Sequence, residues 1–385
     1  MTWLLAVLGL GCVVVTLLPL SRHEAWWVRA WDFPRLQIVA VSLVVLGALL
    51  ATGDIGDWRY QLLALTLLGS IAYHLAVILP YTRLWPVEIL PTREPPRSAS
   101  LSLLVVNVLM SNRRSDRLLA LVNEHAPDVV LALETDHWWC ERFEQVAPSY
   151  PFRVVRPIDN TYGMLLYSRL ELVEPELRYL IKPEVPSVRT GLRLRSGATV
   201  MLYGLHPEPP APSEADTSLP RDAELVLVGR EVAGADRPTI VAGDLNDVAW
   251  SHTSRLFRRI SRLLDPRIGR GMFNSFHAEH RLLRWPLDHV FVSDDFLLRV
   301  IRRLPGFGSD HFPILIAIDH VPRAAALQEA PPPDADDHAE ADDKLARVGM
   351  DPAVVSRVRA SAPGAVADGQ ASGAARGTSP RWSAT

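Results

Sequence analysis

Cysteine is almost missing from this chain. Its 385 residues hold only Cys12 and Cys140, and Cys12 lies inside an apolar N-terminal run. A disulfide framework and a cysteine-rich zinc site are therefore excluded, and the redox compartment is not readable from cysteine usage. Net charge is nearly absent too, at −3, so no global field draws the protein to nucleic acid. No internal repeat is visible. The length has room for one large domain with additional segments.

Charge is missing altogether from three apolar runs, Trp3 to Leu20, Leu36 to Thr52 and Gln61 to Leu79. Each approaches the ~17–25 residues that span a bilayer. The first run lacks the basic leader of a signal peptide, and two similar runs follow it. Trp26, Trp27, Trp31, Trp58 and Trp85 cluster near the ends of the runs, as an aromatic belt would. His74 is the readily ionisable side chain at depth and reads as a packing or interfacial residue. Residues 1–80 are thus expected to form a three-helix transmembrane anchor. Arg22, Arg29 and Arg35 lie in the first loop, against Arg59 in the second and Arg83, Arg93 and Arg97 after the third run. Three spans put the first loop and everything after the anchor on one side, which the positive-inside rule makes cytoplasmic.

Pro86, Pro91, Pro95 and Pro96 prevent a continuous helix, so residues 81–100 read as a semi-rigid linker. Residues 101–319 carry the apolar periodicity of a folded domain. From 320 to 385 the composition turns to Ala, Pro, Asp, Ser and Gly. That segment is expected to be a largely disordered, low-complexity tail with a weak helix over Ala341 to Val348.

Within the domain, polar residues recur at the ends of apolar strands. Asn107 ends the run from Leu101, Glu134 follows Asp128 to Leu133, and His206 follows Thr199 to Leu205. Gly163 to Ser168 is a further strand, and Arg117 to His125 has helical spacing closed off by Pro127. A proline-rich loop, Pro207 to Pro220, precedes Arg221-Asp222-Ala223-Glu224-Leu225, which opens an amphipathic helix. The central stretch is Val241-Ala242-Gly243-Asp244-Leu245-Asn246-Asp247. Gly243 permits a sharp turn, and Asp244 and Asn246 emerge at the edge where α/β proteins place ligands. An Asx-rich turn is the plain alternative. Arg255, Arg258, Arg259 and Arg262 share one face of a helix from Thr253 to Leu264. That face is either solvated or meets anionic head groups; no aromatics are interleaved for nucleic-acid stacking. Asp288-His289 starts one strand, and Asp310-His311 precedes the strand Ile314 to Ile318. Each imidazole needs an orienting carboxylate, and the pairing is internal or crossed.

This inventory suits hydrolysis of a phosphate ester by in-line attack of water. Glu134 and Asp310 supply two carboxylates for one hard divalent cation. Asp244 positions or deprotonates a water, and His311, oriented by Asp288, binds phosphate as imidazolium. Asn246, Asn107 and His206 complete a phosphate cradle.

The ordered set of Asn107, Leu133-Glu134, His206, Gly243-Asp244-Leu245-Asn246, Leu287-Asp288-His289-Val290-Phe291 and Gly308-Ser309-Asp310-His311-Phe312-Pro313 resembles the endonuclease/exonuclease/phosphatase superfamily over Leu101 to Asp319. The resemblance implies a two-sheet α/β sandwich of the DNase I type, here preceded by three transmembrane helices. It also implies phosphoester hydrolysis dependent on Mg²⁺, or on Mn²⁺. It makes Glu134 a metal ligand, Asp310 a metal-side carboxylate and Asn107 an amide near metal or phosphate. Asp244 and Asn246 become the water- and phosphate-handling pair, and Asp288 with His311 the dyad. Leu133 departs from the Gln common before the metal-binding Glu, and Tyr162 and Tyr203 are the candidates for a site tyrosine. The anchor, with His206-Pro207-Glu208-Pro209-Pro210 and Arg221 to Leu225, is similar to a bacterial membrane-anchored branch that includes teicoplanin-resistance proteins. That likeness implies a multi-pass protein of the bacterial inner (cytoplasmic) membrane whose domain faces outward, against the arginine count. The implied substrate is a membrane lipid or lipid-linked phosphate. An envelope nuclease acting on nucleic acid and a non-enzymatic membrane interaction protein are the alternatives.

Overall fold

The computed structural model describes residues 2–52, 57–94, 97–235 and 237–350. In chain order the strands are β1 (Ser100–Asn107), β2 (Val129–Leu133), β3 (Phe152–Arg156), β4 (Met164–Ser168), β5 (Leu172–Arg178), β6 (Ser187–Arg193), β7 (Thr199–Leu205), β8 (Thr239–Asp244), β9 (Asp288–Val292), β10 (Phe296–Arg303) and β11 (Ile314–His320). The helices are α1 (Thr2–Leu17), α2 (Trp26–Arg29), α3 (Arg35–Thr52), α4 (Trp58–Ile78), α5 (Ser115–His125), α6 (His137–Phe143), α7 (Leu219–Ala233), α8 (His252–Ser261) and α9 (Ala335–Arg347).

Side-chain alternation along the strands builds the layers. In β1, Leu101, Leu103 and Val105 face the opposite sheet, whereas Leu104 and Val106 face Leu118, Leu119 and Val122 of α5. In β8, Ile240 and Ala242 face inward, and Val241 packs outward against α7 and α8. The result is a sandwich of two mixed sheets, with strand orders β10-β11-β1-β2-β4-β3 and β5-β6-β7-β8-β9. Each sheet has a parallel pair at its heart, β1 with β2 and β7 with β8. This is the expected DNase I-like class of fold. Gly243 is not a turn residue, because β8 continues through it to Asp244. At φ 148° it lies against β7, where a Cβ would come within 1.8 Å of the Leu205 carbonyl oxygen.

Four strands have no counterpart in the sequence reading: β3, β5, β6 and β10. Three of them are sheet edges. Edge strands carry charges that discourage further pairing, and Arg153, Glu176, Arg299 and Arg303 break the apolar patterns there.

Among the described residues, three helices are long and apolar enough to cross a membrane, over Trp3–Ser21, Arg35–Thr52 and Trp58–Tyr81. They pack through Cys12, Val39, Val45, Leu46, Leu49, Leu67 and Ile71. His74 is a packing residue: it is fully buried, its Nε2 lies 3.0 Å from Thr16 Oγ1 and its Nδ1 3.2 Å from Arg35. The anchor is docked onto the domain. Tyr81 Oη donates to the Ala249 carbonyl at 2.6 Å, Trp250 Nε1 to the Asp32 carbonyl at 2.8 Å and Gly269 N to the Pro80 carbonyl at 2.8 Å.

Two expectations about the flanking segments need correction. Residues 81–94 are not a spacer: Ile89 is fully buried in the inter-sheet core, and Glu88 pairs with Arg258 and accepts from Asp265 N at 2.6 Å. The tail reading fails over 320–350, while 351–385 lies outside the described residues. α9 begins at Ala335, where Asp334 and Asp337 form a capping box. Its Lys344 is buried between Glu24 at 3.1 Å and Asp222 at 3.0 Å. Ion pairing with the domain supplies the ordering that the helix's weak apolar content does not. Two arginines of the α8 stripe pair with these same segments, Arg258 with Glu88 and Arg259 with Asp337 at 2.6 Å, while Arg262 lies past the helix end as its left-handed C-cap.

Candidate active site

The inward parity of the strands delivers the site. Asn107 extends the Leu101-Leu103-Val105 series, Asp244 extends Ile240-Ala242, and Asp288 heads Asp288-Val290-Val292. Where the apolar core ends, these polar groups occupy the cleft between the sheets. Asp244 and Asp288 are direct partners across the β8–β9 ladder. His311, just before β11, comes from the other sheet.

The pairing is crossed. Asp288 Oδ2 lies 2.7 Å from His311 Nδ1, while His311 Nε2 faces Asp244 Oδ2 at 3.5 Å. Burial would lower the His311 pKa, but Asp288, Asp244 and Asp310 outweigh it and raise it to about 10. The imidazole is therefore a cation in this cluster. Alternation sends His289 to the opposite face, where its Nε2 meets the Asp247 carbonyl and its Nδ1 meets Arg267, both at 2.8 Å.

Glu134 follows β2 with φ 58°, which swings its carboxylate from the β2 edge toward β1. Asn107 Nδ2 bridges it to the second sheet, donating to Glu134 Oε1 at 2.7 Å and to Asp244 Oδ2 at 3.0 Å. Asn107 Oδ1 accepts from Leu109 N, so the amide is held between two carboxylates. Burial raises Glu134 to about 7, against the Asn107 hydrogen bond and His311, with Asp244 and Asp310 adding to the rise. Asp244 is likewise raised, by burial first and by Asp288, with His311 and His206 opposing. Asn246 has φ 51°, and its side-chain nitrogen donates to the Pro207 carbonyl at 2.9 Å, tying the β8 loop to the segment after β7. Its backbone N donates to Asp244 Oδ1 at 3.0 Å. His206 is buried, lowered by that burial, and its Nδ1 has no partner. All eight candidates thus lie on the strand ends that border this cleft, with Asn246 turned partly into loop structure.

Several contributors escape the sequence reading. Ser309 donates to the Asn107 carbonyl at 2.8 Å and accepts from His311 N at 3.0 Å, locking the histidine loop to β1. Phe276 stands 5.0 Å from the His311 ring. Of the two tyrosine candidates, Tyr162 lies 5.6 Å from His206, whereas Tyr203 faces outward to Glu231. Asp247 sits in the loop after β8, where it accepts from Val248 N at 2.8 Å and from Ser251 Oγ at 2.7 Å, and it is also a buried counter-ion of Arg221 at 3.1 Å. An Arg in the 221–225 stretch was the available signal.

A divalent cation fits this site. Among the described residues, ligand atoms of Asp244, Asp288 and His311 lie within 4.8 Å of one another. That triad already contains the imidazolium as its positive charge. Glu134 and Asp310 are further carboxylates near His311, and Asp288 Oδ1 and His206 Nδ1 are buried without hydrogen bonds. Glu134 is raised chiefly by burial, with Asp244 and Asp310 adding to the rise, and a cation bound beside such a carboxylate relieves that cost. Glu134 with Asp310 would hold it, leaving Asp244, Asp288 and His311 for the reacting groups.

Carboxylates, amide and imidazolium converging at the open end of a two-sheet sandwich define the phosphoester hydrolases of this fold. The chain matches the Endonuclease/Exonuclease/phosphatase family model over residues 104–311, more than half its length, and belongs to that family. Members are divalent-metal-dependent phosphoester hydrolases. No curated protein matches the sequence. Similar solved structures include humanized D. rerio TDP2 at 17% identity and TM-score 0.48, covering 57% of this chain and 99% of that one. The human Nocturnin catalytic domain with bound sulfate has 16% identity and TM-score 0.48, with 59% and 96% covered. Sphingomyelinase C from Streptomyces griseocarneus has 16% identity and TM-score 0.43, with 57% and 99% covered. These comparisons do not show the narrower likeness to teicoplanin-resistance proteins.

Proposed function

We propose that this protein is a membrane-anchored, divalent-metal-dependent hydrolase of a lipid or lipid-linked phosphate. The observation that carries the reading is the crossed Asp288–His311 dyad facing Asp244, in a domain docked directly on three apolar helices. In this reading His311, held as a cation by Asp288, neutralises charge on the phosphoryl oxygens. Asp244, 3.5 Å from His311 Nε2, orients the attacking water and takes its proton. Asn107 keeps Asp244 and Glu134 in register, and Asn246 and His206 line the phosphate side. Mg²⁺ or Mn²⁺ held by Glu134 and Asp310 would supply Lewis-acid stabilisation of the leaving oxygen.

Tethering supports a substrate in the same plane, because it raises the effective concentration there. A bacterial inner-membrane location with the domain facing outward is part of the proposal. The structure supports discounting the arginine count, since Arg29 and Arg35 both pair with Asp32, and Arg22 with Glu340. Protease accessibility in intact cells tests the side.

The full-length protein with Mg²⁺ is expected to turn over a member of a phospholipid and polyprenyl-phosphate panel and to be silenced by EDTA. Asp244→Asn and His311→Ala should each lower kcat by about 10²–10⁴-fold. Cleavage of plasmid DNA with no turnover on the lipid panel would replace this reading with a nuclease. Full rescue of a knockout by both variants would instead favour a non-enzymatic protein.

A further inference from the structure

The segment from Phe276 to Trp285 joins the catalytic histidine to the membrane anchor. At its start, Phe276 forms a β-bridge with His311, and Ala278 N donates to the Asp310 carbonyl at 2.6 Å. At its far side, Gln37 in the first turn of α3 donates to the Leu282 carbonyl. The rings form a continuous path: Phe276 lies 5.0 Å from His311 and 6.3 Å from Trp285, and Trp285 is 5.6 Å from Phe33. Phe33 stands two residues before α3 begins. The loop is therefore fixed at the level where a spanning helix enters the bilayer.

Its tip is apolar. Leu282 is 83% exposed and Leu283 47%, with exposed Arg281 beside them. Two adjacent exposed leucines at a loop tip expose apolar surface that water does not favour. The other anchor ends at this level show the same character. Trp26 and Trp27 precede α3, and Leu84 and Trp85 follow the third apolar helix, all of them exposed. Aromatic and leucine side chains flanked by arginine are the composition of a segment lying in the headgroup layer.

We propose that residues 277–284 are a membrane-seated lip of the catalytic site, with Leu282 and Leu283 inserted at the headgroup–acyl boundary. This inference rests on the proposed lipid hydrolysis and adds its route: the phosphoester enters from the bilayer plane, over the lip, beside His311. The occupant of the leucine tip is lipid, because the same loop is hydrogen-bonded to a helix that crosses the membrane.

The test uses full-length protein reconstituted in phosphatidylcholine/phosphatidylglycerol vesicles. A bimane label is placed at Leu282→Cys, in a chain with Cys12→Ala and Cys140→Ala, and compared with a label at exposed Glu171→Cys. Lipids carrying a nitroxide at a shallow acyl position should quench position 282 and spare position 171. Equal quenching at both overturns the lip, whatever the enzyme cleaves. In the second arm, Leu282→Glu/Leu283→Glu should lose about 10-fold or more on the vesicle-embedded substrate, yet keep its rate on soluble bis(p-nitrophenyl) phosphate. Unchanged turnover in vesicles overturns the lip and leaves the lipid-hydrolase reading intact. Wild-type turnover of no lipid overturns that reading, and the quenching result then decides the lip by itself.

Discussion

Arg221 directs one guanidinium to three places. It donates to Asp222 at 2.9 Å, pairs with Asp247 at 3.1 Å and donates to the Asn246 carbonyl at 2.7 Å. The last contact fixes the backbone two residues beyond Asp244, so Arg221 is a positioning residue. A lysine keeps the charge and loses the fork. Arg221→Lys is accordingly expected to lower kcat by about 10²-fold with little change in KM, a split that steady-state kinetics reads directly. Glu224, one turn along, is different. It is fully buried with Oε1 unpartnered, and burial raises it from 4.5 to about 8, with Arg178 opposing. A raised acid favours the protonated folded form, so its stabilising contribution is full below pH 4.5 and disappears as pH climbs through about 8. Glu224→Gln should flatten the melting temperature between pH 5 and 9, where the wild type falls by about 5 °C or more. The identities of Asp244, Asp288 and His311 were legible because each interrupts an apolar strand at its end. The crossed pairing was not, because it depends on which face each residue of an Asp-His pair takes once two sheets meet.

At the scale of elements, central strands are readable and edges are not. β1, β2, β7 and β8 are continuous apolar runs with inward and outward cores on both sides, whereas β3, β5 and β10 mix arginine and glutamate into their patterns. The arginines of α8 illustrate the same limit. Their spacing showed a shared face, and only the fold reveals that Glu88 and Asp337 come from flanking segments to cover it. α9 completes that cover through Lys344, buried against Glu24 and Asp222. Burial lowers Lys344 and the two carboxylates outweigh it, so the group is raised and charged. Lys344→Ala removes the cation shared by Glu24 and Asp222, which retain Arg347 and Arg221 as partners, and is expected to cost about 1.5–3 kcal/mol. Chemical denaturation of the detergent-solubilised chain measures it; a loss below about 1 kcal/mol would place the pair among ordinary surface bridges.

On the scale of the whole molecule, anchor and domain are one body. Tyr81, Trp250 and Gly269 hold the spanning helices to the domain by direct hydrogen bonds, and the segment between them carries Ile89 into the sandwich core. A site fixed this way cannot rise into bulk solution or tilt on a flexible stalk. On the proposed lipid-phosphate reading, its search for substrate is two-dimensional, by lateral diffusion within one leaflet. The expected signature is surface-dilution kinetics: at constant mole fraction of the cleavable lipid, adding more vesicles leaves the rate per enzyme unchanged. Diluting that lipid among inert neighbours slows the reaction even when its amount per volume is held constant.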